Sequence, residues 1–293
     1  MTADNGRTIL VTGATGLQGG AVARRLLVSG WHVRALTRHA TGEKAKALAA
    51  LGAEVIQGDM AEMGSLAPAV AGAYGVFSLQ NPMLSGIAGE IAQGKNVALA
   101  AHQAGVQHLV YASAGTGAHG TGVPSWESKL VVEEYMRSLA LPLTILRPTA
   151  FMELMTDKKF YPAMSTWYLM PKLMGSTTRL PWLCSHDLAF IVAKAFADPA
   201  QFIGKNLQLA SDVQSIDECR TLYRTILGRN PPRFPLPVWL FTRFGFVGQD
   251  LTTMWRWLHT AGLEVNTATT LALHPAALTV RSWLEQQKSA PRA

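Results

Sequence analysis

A chain of 293 residues is long enough for one sizeable core, or for a core with a smaller lobe beside it. With 48% hydrophobic and 15% charged residues it reads as globular, not disordered, and no apolar run approaches the roughly 20 residues of a membrane helix. The net charge of +7 is scattered, and its densest patches, "TRHATGEKAK" and "PRFPLPVWLFTR", do not interleave bases with aromatics. This argues against a nucleic-acid partner and suits an enzyme that attracts an anionic cofactor. Polar "MTADNGR" leads straight into a strand with no secretory signal, so a cytoplasmic protein is expected. Cys184 and Cys219 lack CxxC spacing, which predicts two inert buried thiols, no metal site and no disulfide framework.

Taken in order, the first 150 residues alternate strand and helix patterns. "TILVTG" is a β-branched run ending in glycine, and "LQGGAVARRLLVSG" is helical with Val22, Leu26 and Leu27 on one face. "HVRALTR", "AEVIQGD", "YGVFSLQN", "HLVYASAG" and "LPLTILRPTAF" follow as strands. Between them stand the helical stretches "GEKAKALAALG", "SLAPAVAGA", "SGIAGEIAQGKNVALAAHQAG" and "SWESKLVVEEYMRSLA". Apolar strands separated by helices predict a Rossmann-like, doubly wound α/β parallel sheet covered on both faces.

Beyond residue 150 methionine, proline and tryptophan crowd "FMELMTDKKFYPAMSTWYLMPKLMG". "SIDECRTLYRTILG" opens with a Ser215–Glu218 capping box, and "DLTTMWRWLHTAG" and "LTVRSWLEQQK" read as further helices. The expected division is therefore a Rossmann domain over 1–150 and a smaller, mainly helical lobe over 151–293. One helix near 186–199 returns to the first domain.

Gly13, Gly16 and Gly19 are spaced G-x-x-G-x-x-G directly after a strand and at the opening of a helix. Gly13 allows the tight turn, Gly16 lets backbone approach a pyrophosphate, and Gly19 or Gly20 lets helix and sheet pack closely. The second strand ends in Thr37, Arg38 and His39, with no carboxylate for the ribose hydroxyls. A guanidinium there pairs with a 2′-phosphate that a carboxylate would repel, so the cofactor expected is NADP(H).

"VTGATGLQGGAVARRLL", "TRHA", "GAEVIQGDM", "QGKNVALAAHQAGVQHLVYAS", "SKLVVEEYMRSLALPLTILRPTAFME" and "ALTVRSWLEQQK" together resemble the NmrA-like family of atypical short-chain dehydrogenase/reductase proteins, most of all its NADP(H)-sensor branch. The resemblance implies cofactor contacts from Gly13, Ala14, Thr15, Gly16, Leu17 and Gln18, then Arg38, then Asp59 and Met60 beside the adenine. It further implies Gln80 and Asn81 after the fourth strand and Lys95 on the next helix. Lys129, Phe151, Met152 and Glu153 would approach the nicotinamide end. The sequence departs at Pro82, where the related sensors carry an aromatic, and at Leu154, where they carry an asparagine.

Ordinary short-chain dehydrogenases use Tyr-x-x-x-Lys, and four residues before Lys129 stands Ser125, whose hydroxyl is too weak an acid for that role. Lys129 is the candidate catalytic residue, able to bind the nicotinamide ribose or to protonate a substrate; otherwise it is a solvated lysine paired with Glu133 at i+4. Tyr111 and Tyr135 read as packing. Ser185, His186 and Asp187 are adjacent in sequence, which is not how a nucleophilic triad assembles, and Ser185 and Asp187 read as helix-start residues. Two kinds of function are expected. One is an NADPH-dependent reductase of a quinone or a polyketide-like aromatic, with assistance to oxygenation of such an aromatic as a variant. The other is an NADP(H) redox sensor that binds a regulatory protein.

Overall fold

The computed structural model describes residues 6–156, 165–232 and 235–289. Parts of the methionine-rich stretch and of "PRFPLPVWLFTR" lie outside them. The chain divides into two compact units: residues 1–119, 125–147 and 188–207 form the first, and 120–124, 148–187 and 208–293 the second.

In the first unit, strands and helices alternate as β1 Thr8–Val11, α1 Leu17–Val28, β2 His32–Thr37, α2 Glu43–Ala50, β3 Glu54–Gln57 and α3 Met63–Val70. The alternation continues through β4 Gly75–Ser78, α4 Pro82–Gln103, β5 His108–Ala112, α5 Pro124–Ser138 and β6 Leu143–Pro148. Strands β1 to β6 pair in parallel. With β9, Asn206–Leu209, at the edge, the order is β3-β2-β1-β4-β5-β6-β9. The order reverses between β1 and β4, and in open α/β sheets that switch point is where the carboxyl ends of the strands leave a crevice.

The apolar strand residues drive this assembly. Leu10, Val76, Leu109, Tyr111 and Ile145 pack with Leu66, Val97, Val132 and Met136 from the covering helices. At Gly94 an added Cβ would run into the Val132 side chain, so the glycine sets the close approach of α4 to α5. On the other face the helix Ser185–Ala197 buries Leu188, Ile191, Val192 and Phe196. Phe196 lies 5.3 Å from the His108 ring, and burial lowers the His108 pKa to about 4. That histidine is a neutral core residue whose Nε2 meets Thr144 Oγ1 at 2.8 Å.

The second unit holds a three-stranded sheet absent from the sequence reading: β10, Asp212–Ser215, β8, Arg179–Leu183, and β7, Ala150–Phe151, in that order. The helix Ile216–Leu227 has the anticipated capping box, and Gly228 closes it in the left-handed region. Trp255, on the helix Gly245–Thr260, is buried and stacks on Phe241 at 5.9 Å, as core. Cys184 and Cys219 are free and buried, and burial raises both thiol pKa values, which suits inert side chains. No described helix is long and apolar enough to cross a membrane.

Candidate functional site

The turn after β1 is built by its glycines. Gly13 has φ +61°, a conformation that L side chains rarely adopt. A Cβ at Gly19 would overlap the Gly13 carbonyl, so α1 can start this close to the turn only with glycine there. Thr12 ties the turn to the β4 exit: its Oγ1 accepts from Leu79 N at 2.7 Å and donates to Leu79 O at 3.1 Å. The backbone of Gly13–Gly16 and the residues Gln80 and Asn81 are thus brought together at the switch point.

Helix α1 begins with no side-chain cap at Gly16 and no acidic residue in its first turn. The first amides of a helix have no intrahelical acceptor, so those near Leu17 and Gln18 are available to an anion. Gln18 Oε1 is buried without a hydrogen-bond partner. At the end of β2, Arg38 is exposed and pairs with no carboxylate among the described residues. Thr37 Oγ1 is occupied by His39 N at 3.2 Å. Lys44, which the sequence reading passed over, braces the turn through Nζ to Thr15 O at 3.0 Å. An uncapped helix start with a free guanidinium beside it fits a dinucleotide carrying an additional phosphate.

Asp59 and Met60 lie after β3. Asp59 Oδ1 accepts from Ala61 N at 2.9 Å, and Asn96 of α4 donates to Met60 O at 3.1 Å. Lys95, next to Asn96, points elsewhere, its ammonium 5.4 Å from the Tyr135 ring centroid. Gln80 is buried, with Nε2 on Ser78 Oγ at 3.1 Å and Oε1 without a hydrogen-bond partner. Asn81 caps α4 by accepting from Met83 N at 2.9 Å, and Pro82 is the first residue of that helix. The departure at Pro82 is therefore a helix-start proline, suited by its fixed φ and missing N–H.

Lys129 is 6% exposed, which sets aside the alternative of a solvated lysine paired with Glu133. Lys129 Nζ donates to Glu90 Oε1 at 2.7 Å and to Gln80 O at 3.3 Å. Glu90, fully buried on α4, also accepts from Ser128 Oγ. Glu133 instead binds Arg147 Nη2 at 2.5 and 2.6 Å and Ser113 Oγ at 2.5 Å. The i+4 pairing loses because both side chains face the sheet, where each has a buried opposite charge or hydroxyl to satisfy it. An ammonium has three donors, and two have protein acceptors here.

Ser125 is buried at the expected tyrosine position. Lys129 Nζ sits 5.6 Å from the Tyr111 ring centroid. Burial, and then the charges of Glu90 and Glu133, push the Tyr111 pKa well above the ordinary phenol value. Tyr111 is thus a poor proton donor at neutral pH. Tyr111→Phe is expected to leave any turnover within about tenfold of wild type, whereas loss of a general acid lowers rates by roughly 10²–10⁴-fold. A loss of that larger size in a folded, cofactor-binding variant would restore a tyrosine mechanism.

Phe151, Met152 and Glu153 lie in the second unit. Phe151 and Met152 are buried. Glu153 Oε1 accepts from Ser185 N at 2.9 Å and Oγ at 2.6 Å, while Oε2 is buried without a hydrogen-bond partner. Desolvation raises the Glu153 pKa against the opposing pull of the Ser185 hydrogen bonds. Leu154 serves through its backbone, accepting from Thr166 Oγ1 at 2.9 Å.

In the first unit, His119 is held to the α5 surface by Glu127 at 2.9 Å and Glu134 at 2.7 Å. Both ring nitrogens face carboxylates, and the hydrogen bonds to Glu134 and Glu127 raise its pKa above the usual 6.5. A raised folded-state value means that this tether is fully present below about pH 6.5 and lost as pH rises through the folded value. Calorimetry between pH 6 and 9 should show a small stability decrement on raising pH that His119→Ala lacks. Identical pH profiles would refute the tether.

The sheet order, the switch point and the glycine turn define a Rossmann-like doubly wound protein. Within that class the chain belongs to the NmrA-like family, whose profile matches residues 5–284. It is 31% identical to the NmrA-like family domain-containing oxidoreductase lnaB of Aspergillus flavus, over 80% of this chain and 77% of that protein. It is 30% identical to the corresponding oxidoreductase hkm9 of Aspergillus hancockii, over 96% of both. In fold it is similar to NmrA, a negative transcriptional regulator solved with NADP, at TM-score 0.75 and 22% identity over 96% of this chain and 94% of that one. It is also similar to the Citrobacter sp. triphenylmethane reductase solved with NADP(H), at TM-score 0.77 and 21% identity over 96% and 99%.

Proposed function

We propose that this chain is an NADPH-dependent oxidoreductase acting on a quinone or another electron-poor, polyketide-like aromatic. The observation that carries the reading is the exposed, unpaired Arg38 beside an uncapped α1 start, in a chain whose curated relatives are named oxidoreductases. Amides from Gly13 to Gln18 hold the diphosphate, with the α1 dipole favouring the anion. Arg38 takes the 2′-phosphate. Asp59 and Met60 border the adenine, and Gln80 and Asn81 line the β4 exit.

The bound nicotinamide supplies a hydride. Lys129 Nζ, fixed by Glu90 Oε1 and Gln80 O, keeps one N–H for the ribose or for a substrate oxygen that gains negative charge. Reduction of a quinone leaves an anion that water or the Lys129 ammonium can protonate, so Ser125 in the tyrosine position is no obstacle.

Purified protein offered a panel of quinones and polycyclic aromatic ketones should oxidise NADPH. Stoichiometric NADPH binding without turnover, together with a protein partner captured only with NADP(H) or only without it, would replace this reading with the redox sensor. The fold shared with a transcriptional regulator favours that as the second reading.

A further inference from the structure

In the second unit, the Ser185-His186-Asp187 run converges on a residue 87 positions further along the chain, His274. We propose that His186 Nδ1, Asp187 Oδ1 and His274 Nε2 form a binding site for a divalent first-row transition metal ion, with coordination positions left open on the His186 side. All three ligand atoms lie within 4.8 Å of one another. Asp187 Oδ1 is 3.4 Å from His186 Nδ1 and 3.2 Å from His274 Nε2. Bonds of about 2.0–2.2 Å to a metal place neighbouring ligand atoms about 3.0 Å apart at right angles and about 3.4 Å apart at the tetrahedral angle. Both edges through Asp187 therefore already have coordination length. The remaining edge shortens by rotation of His186, whose side chain is 68% exposed and free to change rotamer.

The other two ligands are fixed by the fold. Asp187 is fully buried, and its Oδ2 accepts from Leu278 N at 2.7 Å, which directs Oδ1 at the two imidazoles. His274 is 7% exposed and ends the helix Thr267–Leu273, its N–H donating to Thr270 O at 2.8 Å. Thr270 is itself anchored, its Oγ1 accepting from Ala210 N at 3.0 Å. Outer hydrogen bonds of this kind hold metal ligands in orientation. Asp187 Oδ1 also pairs with His186 Nδ1 at 3.4 Å, so one carboxylate oxygen already gathers both imidazoles. Ser185 is engaged with Glu153 and takes no part. Two imidazoles and one carboxylate select Zn²⁺, Fe²⁺, Co²⁺ or Ni²⁺ over Mg²⁺ and Ca²⁺, which favour all-oxygen sites.

The test is titration of chelator-treated full chain with Zn²⁺ by calorimetry and with Co²⁺ by visible absorption. One saturable site per chain is expected, with Mg²⁺ failing to compete. His186→Ala removes only an exposed side chain and should weaken Zn²⁺ binding at least about tenfold. His274→Gln should abolish it. His102→Ala and His119→Ala, which remove exposed histidines of the first unit, should leave it unchanged. Absence of saturable Zn²⁺ binding, full affinity after His186→Ala, or loss on His119→Ala would each overturn the site. If His274→Gln does not fold, His186→Ala decides the question alone.

Discussion

Arg38→Ala should remove most of a preference for NADPH over NADH that is at least tenfold in the wild-type chain. A charge-assisted pair between a guanidinium and a phosphate contributes about 1.5–3 kcal/mol, or roughly 10- to 150-fold in relative affinity. Arg38 stands at the end of β2 with no carboxylate partner among the described residues, so its removal disturbs no internal pair. NADH affinity should therefore hardly change while NADPH affinity falls. Because the site is open to solvent, the wild-type gap should also narrow as salt rises. Lys44 gives a useful contrast. Its Nζ is committed to Thr15 O, so Lys44→Ala should weaken both cofactors together by loosening the turn. Equal wild-type affinities, or a gap that survives Arg38→Ala, would sink the assignment of the phosphate.

Loss of Lys129 should lower turnover by about 10²-fold or more while weakening NADPH binding far less. The ammonium would act where negative charge develops on the substrate oxygen, and only interactions stronger in the transition state raise the rate of the chemical step. The substitution needs care. Removing Lys129 alone leaves Glu90 as a buried, uncompensated carboxylate, and breaking a buried pair costs about 3–5 kcal/mol of stability. Lys129→Met combined with Glu90→Gln removes both charges and should fold more stably than Lys129→Met alone. If the double variant binds NADPH normally and still turns over slowly, the ammonium serves the chemistry. If its only defect is weaker NADPH binding, Lys129 is a cofactor ligand.

Much of the first unit was legible because its signals are local. An apolar run, a glycine turn and an amphipathic helix each declare themselves within a dozen residues. The glycine turn was legible for the same reason, since Gly13, Gly16 and Gly19 act on backbone within reach of one another. The partner of Lys129 was not. The i+4 rule pointed to Glu133, which lies on the same helix face, but Glu90 on α4 reaches Lys129 because Gly94 lets α4 and α5 close together. That contact depends on packing between helices, which leaves no period in the sequence. The three-stranded sheet of the second unit was missed because β7 has two residues and β8 contains Pro181. The convergence of Asp187 with His274 was invisible for the same reason as the Lys129 pair.

The glycine that starts β4 bears on how this protein could be taken apart. A Cβ at Gly75 would lie 2.7 Å from the Phe196 ring and 2.8 Å from His108 O, so a residue from late in the chain is seated directly on the sheet. The first unit is therefore not a detachable cassette. A recombinant fragment ending near residue 150 would expose the part of the sheet that Phe196 covers, and would be prone to aggregate. Exchanging the second unit between relatives, with the short 120–124 segment left in place, would then require three crossover points, one near residue 148 and one on each side of residues 188–207. A chimera that keeps this segment with its own sheet should stay soluble, and one that exchanges it with the remainder should not.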